Sequence, residues 1–201
     1  MHRALIAALT CLTLWAAPLL AGGTGPATHH PQPTDGDTFF ALIEISAGSA
    51  VKYEIDPASG RLIVDRFLSM PVVYPANYGF VPGSLAGDGD PLDVLVYTRT
   101  PIVPGALIEV RAIGMLRMTD GGKQDDKLIA VPTDKVDPGY AAIRDVADLP
   151  AIDVERLTMF FRVYKHLPQP GGDVVLGDIV AADIAHKETR DAIRRGAFVK
   201  P

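Results

Sequence analysis

Cysteine is nearly absent from this chain of 201 residues; the only one is Cys11. A lone thiol closes no disulfide within the chain and builds no cysteine-type metal centre. Blocks of like charge are absent too. The 24 acidic and 19 basic residues leave a net charge of −5, and their interspersion indicates neither nucleic acid nor an anionic membrane as partner. The sequence shows no internal repeat and no strand–helix–strand alternation of the kind that builds parallel α/β folds. At this length, one domain with a substantial core is expected.

The apolar residues are heavily concentrated at the start. His2 and Arg3 precede an almost wholly apolar run from Ala4 to Ala21, which ends in Ala21-Gly22-Gly23. That order predicts a secretory signal over residues 1–23, cleaved near Gly23. An uncleaved anchor is the alternative, since the run approaches the length of a bilayer span; Pro18 and the small-residue exit favour cleavage. Cys11 lies too early in the run to carry a lipid and departs with the leader. Loss of Arg3 leaves 24 acids against 18 bases, or −6. The expectation is a periplasmic or secreted protein with no stable membrane association after cleavage; a cytoplasmic location would require a different start. Residues 24–38, rich in Pro, Thr, Gly and His and without periodicity, are expected to be a disordered lead-in, His29 and His30 included. Residues 39–201 form the single domain.

Short β-like segments fill the first part of that domain. Phe39–Ile45 reads as a strand interrupted by Glu44. Val51–Ile55 alternates with period 2, so Lys52 and Glu54 share one face. Asp56–Gly60 is a turn, and Arg61–Asp65 returns as a hairpin partner. Val94–Tyr97, Ala106–Leu116 and Leu128–Val131 are further strands between Pro and Gly turns. Helical spacing comes late: Pro150 opens a segment with Ile152, Leu157, Phe160, Phe161 and Tyr164 on one side, and Ile179–Arg195 is a second, more polar helix. Many short strands followed by terminal helices predict an α+β fold, a small β-barrel with two C-terminal helices packed against it.

The densest chemistry is Asp88-Gly-Asp-Pro-Leu-Asp93, three carboxylates in six residues around a glycine and a proline. Carboxylates so close repel unless a cation lies between them, and hard divalent ions such as Mg²⁺ take oxygen ligands. Gly89 permits a tight path and Pro91 stiffens it. A solvated acidic turn is the bland alternative, weakened by the second acidic, Gly-rich loop at Asp120–Lys127. An EF-hand is excluded, because counting from Asp88 places Asp93 at the glycine position and Arg99 at the glutamate position. Each basic or aromatic neighbour also has an ordinary structural reading: Lys52 and Glu54 as members of an exposed cross-strand charge pair, Arg66 as a surface cation, Tyr74 as core, Tyr164 as part of its helix stripe.

Taken together, the residues carry a resemblance. Asp88-Gly-Asp-Pro-Leu-Asp-Val94 is similar to the signature of the soluble family I inorganic pyrophosphatases, bacterial type. Around it stand Lys52-Tyr-Glu54, Asp65-Arg66-Phe67, Tyr74-Pro-Ala-Asn-Tyr-Gly79, Met118-Thr-Asp120, Asp125-Asp-Lys127 and Tyr164-Lys165, in the family's order, across Phe39–Lys165. The resemblance implies a five-stranded oligonucleotide-binding-like barrel with additional strands. It also implies Mg²⁺-dependent hydrolysis of inorganic pyrophosphate, several ions per site, and a homo-oligomer, hexameric in many bacterial members. By the same resemblance Asp88, Asp93, Asp120, Asp125, Glu44 and Glu54 are metal ligands and Asp90 is the general base. Lys52, Arg66, Tyr78, Lys127, Tyr164 and Lys165 hold the phosphate oxygens. A non-catalytic cation- or phosphate-binding protein of the same fold is the alternative. Asp126, where family members commonly have a small residue, is expected to face solvent, with an effect on Asp125 as the alternative, and the segment Pro168–Val180 departs from the family pattern.

Overall fold

The computed structural model describes residues 30–33, 37–167 and 174–198. The apolar leader, Cys11, His29 and Pro168–Gly172 lie outside the described residues. The core is a ring of five strands: β1 (Thr38–Ile45), β4 (Asn77–Phe80), β5 (Asp93–Val96), β8 (Lys127–Pro132) and β6 (Leu107–Asp120), in the order β1-β4-β5-β8-β6 and closed by the pairing of β1 with β6. Four contacts in the ring are antiparallel; β5 and β8 run parallel. Outside it stand the hairpin β2 (Val51–Ile55) with β3 (Leu62–Phe67), the short β7 (Lys123–Gln124), and β9 (Val175–Ala181) on β6. Helices α1 (Ala151–Val163) and α2 (Ala182–Phe198) complete the α+β arrangement.

Strand alternation divides the core. Ile45, Leu95, Ile113, Ile129 and Val131 join Leu157, Phe160 and Phe161 of α1 in one cluster. Ala41, Ile43, Val94, Val96, Ala112 and Ala130 join Ala185 and Ala192 of α2 in another. β5 and β8 contribute alternate residues to two apolar layers, one facing each helix, and the register shift in β1 carries Ile45 to the layer opposite that of Ile43. A fully buried side chain of this kind contributes about 1.5–3 kcal/mol. Ile152, grouped with the α1 stripe on sequence, is 58% exposed; the buried stripe begins a turn later.

Two further differences have simple causes. Ile179–Ala181, read as the start of the second helix, finishes β9, because Leu116↔Ile179 and Met115↔Val180 pairing with β6 overrides local helix spacing. The lead-in is partly docked: Gln32 accepts the Phe40 N–H at 2.8 Å and donates to Phe40 and Pro82 carbonyls, and Thr38 already belongs to β1.

β4 lies unusually close to β1. A Cβ on Gly79 would come 1.9 Å from the Leu42 carbonyl oxygen, a clash with backbone that no side-chain shift relieves. Gly79→Ala is expected to destabilise the protein by about 3 kcal/mol or more, lowering Tm by roughly 6–12 °C in a thermal melt; an unchanged Tm would contradict this packing.

Candidate active site

The parallel pairing of β5 and β8 governs the site. Parallel neighbours begin at the same end of the sheet, so the segments leading into them meet there. Asp93 opens β5 and Lys127 opens β8. The acidic loop Asp88–Leu92 and the β6–β7 turn at Gly121-Gly122, both at positive φ, are thereby brought together. The acidic loop is tied at its base: the Val81 N–H donates to Leu92 O at 2.9 Å, buried Ser84 Oγ accepts from Leu92 N–H at 2.8 Å, and Ala86 N–H donates to Asp90 O at 2.7 Å. Gly89 at φ +99° makes the turn between the first two aspartates. Tyr78 enters from β4, Lys52, Glu54 and Arg66 from the hairpin, Glu44 from β1, and Tyr164 with Lys165 from the end of α1.

These elements enclose one cleft of about 830 Å³. Every residue singled out on sequence lines it: Asp90; Asp88, Asp93, Asp120, Asp125, Glu44 and Glu54; Lys52, Arg66, Tyr78, Lys127, Tyr164 and Lys165. Lys123 lines it as well, and sequence reading missed it. Only its place two residues before Asp125 was a signal.

Inside the cleft, cations and carboxylates interleave. Buried Lys127 places its ammonium between Asp93 and Asp125. Lys165 pairs with Asp120, and Lys52 with Glu54 and, at 3.1 Å, with Asp65. Arg66 also bonds Asp65, at 2.6 Å, so Asp65 orients both hairpin cations, a role its motif did not reveal. Burial opposes the charge on Lys127, but Asp93 and Asp125 outweigh it and hold the ammonium pKa above its ordinary value. Among the described residues Asp90's carboxylate enters no hydrogen bond or ion pair, and the side chain is exposed to the cleft.

The tyrosines are donors held neutral. Tyr78 donates its hydroxyl proton to Asp93 at 2.6 Å, and burial, then Asp93, pushes its pKa well up. Burial and then Asp120 do the same for Tyr164, whose ring stacks on Phe160 with centroids 5.1 Å apart. Tyr74 is core, tilted against Tyr78 and Phe160. Asp126 corrects the sequence reading: its side chain is 7% exposed, turned away from solvent into contacts with Arg117, Gln124 and the Met118 N–H.

The donor set fits a hard divalent cation. It is all oxygen, carries excess negative charge, and already holds a cation between carboxylate pairs, in the form of lysine ammonium groups. Among the described residues no three acidic or histidine side chains converge on one point, so an ion here would be shared between protein carboxylates and other oxygens, as Mg²⁺ prefers.

Glu44 is set apart by burial. It sits at the β1 register shift, accepts the Ile55 N–H at 2.7 Å, and so ties the ring to the hairpin. Burial, reinforced by Asp93 and Glu54 and opposed by the Ile55 bond, raises its pKa from 4.5 to about 7. The folded state thus binds this proton more tightly than the unfolded chain. Its stability advantage is complete below pH 4.5 and lost as pH rises through about 7. In chelator, Glu44→Gln, which keeps the acceptor, is expected to be more stable than the parent by roughly 2 kcal/mol at pH 8 and to lose that gain at pH 5. Thermal melts at both pH values check this; an equal gap at each would disprove it.

Comparison with known proteins agrees with the geometry. The family model described as inorganic pyrophosphatase matches residues 41–197. An inorganic pyrophosphatase of Gluconobacter oxydans is 55% identical over 126 residues, 63% of this chain and 73% of that one. Inorganic pyrophosphatase 2 of Pseudomonas syringae pv. tomato is 46% identical over 158 residues, 78% of this chain and 87% of that one. The solved structure of the Helicobacter pylori inorganic pyrophosphatase superposes with a TM-score of 0.79 at 38% identity, covering 84% of this chain and 98% of that one. With the ring of strands, the cleft and the relatives in agreement, the chain belongs to the inorganic pyrophosphatase family.

Proposed function

We propose that this protein hydrolyses inorganic pyrophosphate to two phosphates with Mg²⁺ as cofactor. The observation that carries the reading is the single cleft in which seven carboxylates (Glu44, Glu54, Asp88, Asp90, Asp93, Asp120, Asp125) face five cationic side chains (Lys52, Arg66, Lys123, Lys127, Lys165). Such a mixture suits a small polyanion that arrives with its own counterions. Asp88, Asp93, Asp120 and Asp125, with Glu44 and Glu54, would hold the cations. Bound there, the ions screen the anion's charge and acidify the attacking water.

The chain's own groups do the rest. Arg66 offers a planar fork to two phosphate oxygens, while Lys52, Lys127 and Lys165 offer mobile point charges. Tyr164 and Tyr78, neutral across the physiological range, supply hydroxyl donors that add no charge. Asp90, free of a cationic partner among the described residues, accepts the proton of the attacking water. Tyr78 and Lys127 fix Asp93, so the distance between the acidic loop and β8 is set before substrate enters. Catalysis of this kind depends on positioning and charge stabilisation.

The leader is proposed to direct export with cleavage near Gly23, and the mature chain to form a homo-oligomer, a hexamer by resemblance. The N-terminal residue and sedimentation mass of purified protein check both. A start near Thr24 and about six chains per particle are expected, whereas an intact Met1 or a monomer would refute the respective point.

The function itself is tested by phosphate release. Folded parent protein is expected to release phosphate from pyrophosphate with Mg²⁺ and to stop in chelator. Asp90→Asn should lower kcat by about 100-fold or more with little change in Tm. Absence of release by the folded parent with Mg²⁺ would leave a binding protein instead.

A further inference from the structure

Behind the cleft, on the side of the β6–β7 hairpin away from substrate, lies a charged cluster that the reaction does not use. Arg117 of β6 donates to Asp126 at 2.6 Å and to Glu188 of α2 at 2.9 Å. Asp126 also accepts the Met118 N–H at 3.0 Å and a Gln124 side-chain N–H at 2.7 Å. The neighbouring Asp125 N–H donates to the Met118 carbonyl at 2.9 Å. Met118 is thus gripped through both its backbone groups, by Asp125 and by Asp126, and the turn carrying Asp120 and Asp125 is clamped at its base.

The same cluster reaches the other acidic loop. A Cβ on Gly87 would lie 2.8 Å from Gln124 Oε1, so the Asp88–Asp93 loop rests directly on Gln124. α2 also supports that loop: Leu85 N–H donates to Ala192 O at 2.9 Å and Arg195 donates to Leu85 O at 3.0 Å. β9 closes over Arg117 from the far side, where a Cβ on Gly177 would be 3.0 Å from the Arg117 Cβ. At 7% exposure Asp126 is no ordinary surface ion-pair partner. Its charge is tolerated because Arg117 neutralises it, and removal of one partner from such a pair leaves an uncompensated charge behind.

We propose that Asp126, joined through Arg117 to Glu188, is a positioning residue that sets Asp120 and Asp125 for divalent-cation binding and makes that setting depend on α2. The proposal rests on the reading of the cleft as a cation site for pyrophosphate. Outer partners that orient metal-holding carboxylates commonly change metal affinity by about 10–100-fold when removed. The effect on affinity separates positioning from mere support of the fold.

The test uses the full chain, Asp126→Ala and Asp126→Asn. Mg²⁺ is titrated calorimetrically into metal-stripped protein, amide exchange is followed at residues 119–125 without metal, and phosphate release is measured against Mg²⁺ concentration at saturating pyrophosphate. Asp126→Ala is expected to weaken Mg²⁺ binding by about 10-fold, to speed exchange at 119–125, and to raise the half-saturating Mg²⁺ concentration correspondingly. Asp126→Asn, which keeps an acceptor for the Met118 N–H, should recover most of the exchange protection. Should Asp126→Ala fail to fold, Glu188→Ala carries the same test, with about a 10-fold weakening expected, the lower end of that range. Parent-like Mg²⁺ affinity and exchange in a folded variant, with only a lower Tm, would overturn the proposal. A parent that binds Mg²⁺ yet releases no phosphate would refute the pyrophosphatase reading alone, since calorimetry and exchange still compare the variants.

Discussion

Mutual repulsion among carboxylates is the constraint around which this protein is arranged. Seven acids share one cleft, and in a partly desolvated space their charges can stay close only where positive charge is placed between them. Lys127 between Asp93 and Asp125, Lys165 on Asp120, and Lys52 on Glu54 perform that task. Glu44 is the most buried of these acids and among the described residues lacks such an ammonium partner, and burial raises its pKa to about 7. The ammonium groups that balance these carboxylates are of the type that suits phosphate oxygens, so one set of charges would serve both stability and the proposed substrate affinity.

The ring of strands serves this balance by fixing distances. Because β5 and β8 start at the same end, Asp93 and Lys127 are held by backbone pairing rather than by loops, and Tyr78 on β4 is locked beside them by the Tyr78↔Leu95 register. The tight approach of Gly79 to β1 belongs to the same economy of space. α1 packs Phe160 and Phe161 into the core and delivers Tyr164 to the cleft at its C-terminal end, while α2 backs the two acidic loops through Ala192, Arg195 and Glu188.

Much of this was legible in the sequence, for a physical reason. The Asp88–Asp93 cluster, the Lys52/Glu54 alternation and the Asp56–Gly60 turn are local patterns, and local geometry places their side chains. The resemblance supplied the remaining cleft residues, and all of them do line it. What sequence could not show depends on neighbours distant along the chain. Asp126 reads as a solvent-facing charge within an acidic loop; only the arrival of Arg117 and α2 gives it an interior setting. Ile179–Ala181 carries helical spacing yet pairs with β6. Asp65 seemed a strand end, but the hairpin register brings it between Lys52 and Arg66. Lys123 enters the cleft only because the two acidic loops meet.

The β2–β3 hairpin forms a sheet of its own, outside the ring, and every residue of β3 is exposed. A two-stranded ribbon is marginal alone, and this one carries Lys52 and Arg66, two of the six side chains proposed to hold the substrate. Glu44, through Ile55, is one of its few polar moorings to the ring. Its exposed second strand places this wall of the cleft at the low-stability end of the fold. In the proposed reaction a bound anion would bridge this wall to the rest of the cleft, so occupancy itself would act as a brace.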